Sequence, residues 1–195
     1  MAEANRRGIF TVKRRLDEPS NQVIEEIVSA IRPEIVNAAR PFYPKSWHVT
    51  VIGFSRYSKE YKLNGKPTKL IGESIPTTKD PIEVRLGRLG VFGGGSSKAP
   101  KLAINISSDK LDEEVERFEL AYDAVGSPLL PEYNSETGSF AGHISLALIN
   151  SDRIYDLSDP RYLRRLSLIA GLIKGDQKYI TLAPVAMDEP TQISR

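Results

Sequence analysis

The sequence predicts an α+β fold whose sheets are antiparallel. The predicted strands and helices follow one another along the 195 residues without the regular strand–helix alternation of a parallel sheet. Residues 48–51 (HVTV) and 143–146 (HISL) alternate polar and apolar side chains, which is typical of a strand with one buried face. A predicted helix precedes each of these strands, so the two halves of the chain repeat one order of elements. The repeated order indicates two similar lobes, each presenting one histidine strand.

The first half begins with a predicted strand over residues 8–14. A helix follows, with Ser20 as its N-cap. Its apolar stripe consists of Val23, Ile24, Ile27, Val28 and Ile31. Pro41 and Pro44 interrupt the chain before the first histidine strand, which is predicted over residues 47–54. Residues 55–80 are polar and rich in Lys, Gly, Thr and Pro, which predicts a surface excursion.

Strands are predicted next over residues 82–86, 90–92 and 102–106. The glycine-rich stretch 93–98 lies between the last two of them. It lacks the Gly-Lys-Ser/Thr order of a phosphate-binding loop, and we interpret it as a flexible hairpin connection.

The second predicted helix covers residues 109–125. Its buried stripe consists of Leu111, Val115, Phe118, Tyr122 and Val125. The second histidine strand follows over residues 141–150. A third helix begins with Asp159 as N-cap and Pro160 in the first turn, and Gly175 closes it. Leu163, Leu166, Ile169, Ala170 and Ile173 form its predicted apolar face. A last strand is predicted over residues 179–186.

The composition is that of an ordinary globular protein and excludes several classes of function. Lys and Arg number 27 and Asp and Glu 25, for a net charge of +2, so no strong field favours double-stranded DNA as a partner. The chain has no cysteine, which excludes disulfides, thiolate nucleophiles and cysteine-ligated zinc. No apolar stretch approaches the ~18 residues of a membrane span. We therefore expect a cytoplasmic protein without a membrane partner.

The two histidine motifs are the strongest functional signal. A period of two places His48 and Thr50 on one strand face, and His143 with Ser145 on another. If these faces meet, two imidazoles can work as general acid and general base. The two hydroxyls can donate hydrogen bonds to an oxyanion. A phosphodiester is the natural substrate of such a site, whereas a zinc site would need a third ligand that neither motif supplies.

The chain resembles the 2H phosphoesterase superfamily, which contains the 2′-5′ RNA ligase-like proteins and cyclic nucleotide phosphodiesterases. The family signature is a pair of His-x-Thr/Ser-x motifs, matched by residues 48–51 and 143–146. Residues 82–92 are similar to the middle strands of the family. Phe140-Ala141-Gly142-His143 stands where the family often has Phe-x-Pro-His, so Gly142 replaces a proline. Ser145 replaces the commoner threonine and keeps the hydroxyl.

The resemblance implies a single bilobal domain over residues 1–195, with two antiparallel sheets forming a central groove and helices outside. It implies metal-independent hydrolysis of a cyclic phosphodiester, with His48 and His143 catalytic, Thr50 and Ser145 binding the phosphate, and no cofactor. The substrate would be the 2′,3′-cyclic phosphate of a nucleotide or RNA end, or a cyclic or 2′-5′ oligonucleotide. The alternatives are a module that binds or sequesters a nucleotide or RNA end, and a 2′-5′ RNA ligase. We expect a monomer.

Two tyrosines near the first motif are candidates for stacking against a base. Tyr43 precedes the motif and Tyr57 follows it, and aromatic side chains commonly hold single bases in this way. Four lysines of the 55–80 excursion would allow it to collect phosphates: Lys59, Lys62, Lys66 and Lys69. We expect substrate choice to depend on this excursion and on the loop 127–139.

Overall fold

The chain is described here from a computed structural model, which covers residues 11–44, 46–53, 80–93, 99–124, 142–173 and 175–187. The strands of these ranges are β1 (Thr11–Leu16), β2 (Ala39–Pro41), β3 (His48–Gly53), β4 (Ile82–Phe92), β5 (Lys101–Ser107), β6 (His143–Ile149) and β7 (Tyr179–Met187). The helices are α1 (Glu18–Ile35), α2 (Asp109–Ala124), α3 (Ile154–Ser158) and α4 (Pro160–Ile169).

The strands form one antiparallel sheet that closes on itself. Their order is β2-β6-β3-β1-β7-β4-β5, and β5 pairs in addition with β6. Every ladder between them is antiparallel, which confirms the predicted α+β class. The described strands do not separate into the two sheets that the sequence analysis expected. Strand β6 joins them, because it pairs with β3 near its start, with β2 near its end and with β5 along most of its length.

The helices pack against the apolar face of this sheet. Helix α1 contacts β2 and β7, α2 contacts β3 and β4, and α4 contacts β4. The buried residues of α1 recur every three or four positions, and its apolar members are Ile24, Ile27, Val28, Ile31 and Ile35. The predicted stripe is thus confirmed, although the helix continues beyond Ile31 to Ile35. No helix in the described ranges is long and apolar enough to span a bilayer.

The sequence assigned the wrong residue to one helix start and to one helix end. The N-cap of α1 is Asp17, whose carboxylate accepts the Ser20 N–H at 2.9 Å. The Ser20 hydroxyl is buried instead and accepts the Thr181 N–H at 2.7 Å, which ties α1 to β7. Helix α4 has the predicted Asp159 cap but ends before Gly171. That glycine has φ +65°, so it ends the helix four residues before Gly175.

Three short elements were missed, namely β2, α3 and the 3-10 helix Ser151–Arg153 that precedes α3, and one predicted burial was wrong. Strand β2 and helix α3 lack a clear polar–apolar period, since β2 is only the tripeptide Ala-Arg-Pro. Ile169 is 38% exposed, because the inward face of α4 passes through Leu166 and Ala170, which lie one turn apart.

A bulge joins the two strands predicted over 82–86 and 90–92 into the single strand β4. The register of β4 on β5 shifts between Leu86 and Leu89, as an extra residue in one strand requires. The Leu89 N–H donates to Ser167 Oγ of α4 at 3.0 Å, and this hydroxyl donates to the Leu163 carbonyl at 2.8 Å. The helix therefore satisfies a buried amide at the bulge.

A buried ion pair links β1 to the elements beneath it. Arg14 and Glu114 are 0% and 1% exposed. Arg14 Nε donates to Glu114 Oε1 at 2.7 Å, and Nη2 donates to Oε2. Arg14 Nη1 also donates to the Ala183 carbonyl at 2.8 Å and to the Asp80 carbonyl at 3.1 Å. One guanidinium thus connects β1 with α2, with β7 and with the residues that lead into β4.

Removing one member of the Arg14–Glu114 pair should destabilise the fold strongly. Arg14→Met leaves the Glu114 carboxylate without its partner in the core, a change that costs about 3–5 kcal/mol. The double variant Arg14→Met/Glu114→Leu removes both charges and should lose clearly less than the sum of the two single variants. Urea unfolding of the four proteins measures these free energies. Strictly additive losses would contradict a coupled pair.

Candidate active site on strands β3 and β6

The two motifs occupy adjacent strands with their apolar residues inward. Val49 on β3 pairs with Ile144 on β6, and both are fully buried. His48, Thr50, His143 and Ser145 are half-buried and alternate with these core residues. The alternation predicted from the sequence is therefore present on both strands. It places all four motif side chains on the face opposite the core.

The antiparallel register brings these four side chains together. Because Val49 is opposite Ile144, His48 lies across from Ser145 and Thr50 lies across from His143. Direct neighbours of this kind have Cβ atoms about 5 Å apart, and diagonal ones about 7–8 Å apart. The two imidazoles are diagonal neighbours, and so are the two hydroxyls. A small group lying over the β3–β6 pair on this face could contact all four side chains.

A backbone carbonyl orients the His48 ring. His48 Nδ1 lies 2.8 Å from the Ser46 carbonyl oxygen. A carbonyl only accepts, so Nδ1 carries the hydrogen of this bond. Nε2 is therefore the ring atom at which His48 can exchange a proton with a bound group.

Phe92 stacks against the His143 ring. The ring centroids are 4.1 Å apart and the planes are inclined by 16°. Phe92 ends the bulged strand β4, so the bulge and its Ser167 contact set the position of an aromatic ring beside the second histidine. The Phe92 ring restricts the orientation of the imidazole that it covers.

Neighbouring strands extend this arrangement on both sides. On β5, Asn105 pairs with His143 and Ala103 pairs with Ser145. On β1, Lys13 pairs with Thr50 and Arg15 pairs with His48. We call this surface the polar face, and its members are Lys13, Arg15, His48, Thr50, His143, Ser145 and Asn105.

Sequence reasoning missed Lys13, Arg15, Asn105 and Phe92 as members of the site. The first strand was predicted over 8–14, whereas the described part of β1 covers Thr11–Leu16. The available sequence signal was that Val12 and Leu16 have the same parity, which assigns residues 13 and 15 to the other face of the strand. No local pattern relates Asn105 or Phe92 to His143, because strand pairing alone creates those neighbours.

The roles expected of the other contributors stay predictions. The Tyr43 side chain is 86% exposed, and its role in base stacking stays a prediction. Tyr57, the lysines of the 55–80 excursion and the loop 127–139 lie outside the described residues. Within those residues, no three His, Asp or Glu side chains are grouped closely enough to hold a metal ion.

Comparison with solved structures identifies the fold. Usb1 of Kluyveromyces marxianus superposes with a TM-score of 0.54 at 18% identity, over 91% of this chain and 92% of Usb1. Usb1 determined with uridine monophosphate gives a TM-score of 0.51 at 18% identity, over 86% and 82%. TT0787 of Thermus thermophilus gives 0.50 at 15% identity, over 93% and 84%.

The chain therefore shares the fold of Usb1 and TT0787. This likeness agrees with the expected α+β class and its antiparallel strands. The sequence matches no protein-family model, and no curated protein sequence is significantly similar to it.

Two glycines of β4 provide a matched test of the packing beside His143. A Cβ at Gly87 would lie 3.1 Å from the Asn105 carbonyl oxygen and 3.3 Å from Asn105 Cβ, whereas one at Gly90 would meet Phe92 Cε2 at 3.4 Å. Gly87→Ala should therefore displace β5 and lower the free energy of unfolding by about 1–2 kcal/mol. Gly90→Ala should have a smaller effect, since 3.4 Å is an ordinary contact. Urea unfolding and the amide NMR shifts of β5 and β6 measure both, and equal effects would contradict the close approach at Gly87.

Proposed function

We propose that the protein is a metal-independent phosphodiesterase that hydrolyses a 2′,3′-cyclic phosphate at a nucleotide or RNA end. The observation that carries the proposal is the register of β3 and β6, which brings two imidazoles and two hydroxyls to one face. Acid–base catalysis at a phosphodiester needs two proton-transfer groups on opposite sides of the phosphorus. The diagonal placement of the two histidines supports this proposal, because they could flank a phosphate while the hydroxyls of Thr50 and Ser145 donate hydrogen bonds to it.

In the proposed reaction, one histidine removes a proton from water while the water oxygen attacks phosphorus. The bond from phosphorus to one ribose oxygen breaks, and the other histidine protonates that oxygen. Thr50 and Ser145 donate hydrogen bonds to the non-bridging oxygens as negative charge increases there. The product is a phosphate monoester beside a free ribose hydroxyl.

Two contacts support the proton transfers by restricting the rings. The Ser46 carbonyl holds His48 by Nδ1, and Nε2 is the ring atom proposed to exchange the proton. The Phe92 ring covers one face of His143 and reduces the orientations open to that imidazole. Preorganised groups avoid a cost of reorganisation when the charge develops.

The comparisons support a nucleotide ligand for this face. A structure with the same fold was determined with uridine monophosphate, which contains a ribose and a phosphate as the proposed substrate does. The two alternative functions give different products. A sequestering module would return its ligand intact after denaturation. A 2′-5′ RNA ligase would join a cyclic phosphate end to a 5′-hydroxyl end, so that this hydroxyl instead of water attacks phosphorus and opens the ring.

Loss of either imidazole should lower kcat/KM strongly. In His48→Ala and His143→Ala, we expect kcat/KM for 2′,3′-cyclic nucleotides to fall by ~10²-fold or more, because each ring performs one proton transfer. In the unmutated protein, kcat/KM should pass through a maximum with pH, since one histidine must be neutral and the other protonated. Assays with EDTA present measure both effects.

Asn150→Ala is the matched control for the histidine variants. It alters an exposed residue that immediately follows β6, so turnover and thermal stability should stay close to those of the unmutated protein. Turnover that persists in His48→Ala would contradict the two-histidine mechanism. Stoichiometric protection of the ligand without turnover would favour the sequestering module.

The hydroxyls of Thr50 and Ser145 can be tested separately from side-chain volume. Thr50→Val and Ser145→Ala remove the proposed donors and should lower kcat by about 10²-fold each. Thr50→Ser and Ser145→Thr keep a hydroxyl and should retain most of the activity. Steady-state kinetics of the four variants measures kcat. A Thr50→Val protein with the same kcat as Thr50→Ser would exclude Thr50 as a donor.

A further inference from the structure

We propose that Lys13 and Arg15 of β1 form a second phosphate subsite, which makes a single-stranded RNA end a better substrate than a mononucleotide. This inference rests on the proposed function of the neighbouring motifs and adds a substrate preference to it. The reacting phosphate would lie between β3 and β6, and the next phosphate of the same strand would lie over β1.

The register places both cations directly beside motif residues. Lys13 pairs with Thr50 and Arg15 pairs with His48, and neighbouring strands are about 4.8 Å apart. Lys13 is half-buried and Arg15 is exposed. Both have long side chains that can reach a group over β1, and the Arg guanidinium can bind a phosphate through two parallel hydrogen bonds.

The buried ion pair explains why these two cations share one face. Residues 13–15 read Lys-Arg-Arg, and the middle one is buried against Glu114. Since side chains alternate along a strand, burial of Arg14 turns Lys13 and Arg15 to the polar face. The core contact thereby places two positive charges beside the first motif.

Among the described residues that pair directly with the four motif residues from β1 and β5, the cations lie on β1. On β5, the residues that pair with His143 and Ser145 are Asn105 and Ala103, both uncharged. The whole chain has a net charge of only +2, so a general excess of cations does not account for the pair on β1. A nucleic acid strand that passes over the motifs therefore meets positive charge in the direction of β1.

Neutralisation of each cation should reduce the preference for the longer substrate. Two substrates are compared, a uridine trinucleotide ending in a 2′,3′-cyclic phosphate and uridine 2′,3′-cyclic phosphate itself. In Lys13→Gln and Arg15→Gln, we expect the ratio of kcat/KM values, trinucleotide over mononucleotide, to fall about fivefold, mainly through KM. The slope of log KM for the trinucleotide against log salt should decrease by about 0.7 for each phosphate that the variant no longer neutralises.

Arg164→Gln is the matched control, because it removes one exposed charge from α4, which packs against the opposite face of the sheet. That variant should leave both the ratio and the salt slope unchanged. An unchanged ratio in Lys13→Gln and Arg15→Gln would overturn the subsite. An equal loss for both substrates would overturn it as well, since the cations would then act on the reacting phosphate.

A binding measurement separates failure of the subsite from failure of the proposed function. Fluorescence anisotropy of a labelled uridine pentanucleotide with a 3′-phosphate needs no turnover. Weaker binding by Lys13→Gln and Arg15→Gln than by Arg164→Gln would support the subsite even if no substrate were hydrolysed. Equal affinity of all three variants would contradict it, whatever the catalytic result.

Discussion

The pairing of two fully buried residues, Val49 and Ile144, determines the geometry on which the proposed chemistry depends. Both strands alternate with a period of two, so a slip by one residue would turn an entire motif into the core. Burial of two apolar side chains favours one register strongly, at about 25 cal/mol per Å² of apolar surface removed from water. That register leaves His48, Thr50, His143 and Ser145 no other face to occupy. The arrangement of the polar residues is thus a consequence of where the apolar ones pack.

Contacts beneath the sheet and at the bulge of β4 support the pairing of β3 with β6. Arg14 lies opposite Val49 in the β1–β3 ladder and is anchored to Glu114, Ala183 and Asp80. Such a pair contributes little net stability, but the loss of one partner is costly. It therefore opposes a shift of β1 against β3. On the other side, the Ser167 hydroxyl satisfies the bulge of β4, from which Phe92 reaches the His143 ring.

Positive charge is distributed unevenly over the polar face, and this distribution bears on the proposed choice of substrate. The two histidines and two hydroxyls suit one phosphate, whatever is attached to it. Neighbours on β1 are cationic, whereas the neighbours on β5 are an amide and a methyl group. If the proposed function holds, such a site would distinguish substrates by their additional phosphates, because an exposed cation gains little from a neutral ligand and more from an anionic one. Framework strands would then contribute to this discrimination.

The sequence by itself determined the class of fold and the four motif residues, because both depend on local periodicity. The alternation in HVTV and HISL identified the strand faces, and the stripe of α1 identified a buried helix face. Only the tertiary structure decided which strands became neighbours. Strand order explains why Phe92 and Asn105 approach His143 and why Lys13 and Arg15 lie beside the first motif. The tertiary fold also buries Arg14 against Glu114, which is 100 positions away in the sequence. At the start of α1, Asp17 is the cap because the Ser20 hydroxyl bonds to β7 instead. At the end of α4, Gly171 and not Gly175 terminates the helix because Gly171 has a positive φ. Local patterns record which face of an element is apolar, but they contain no information on the partner that covers it.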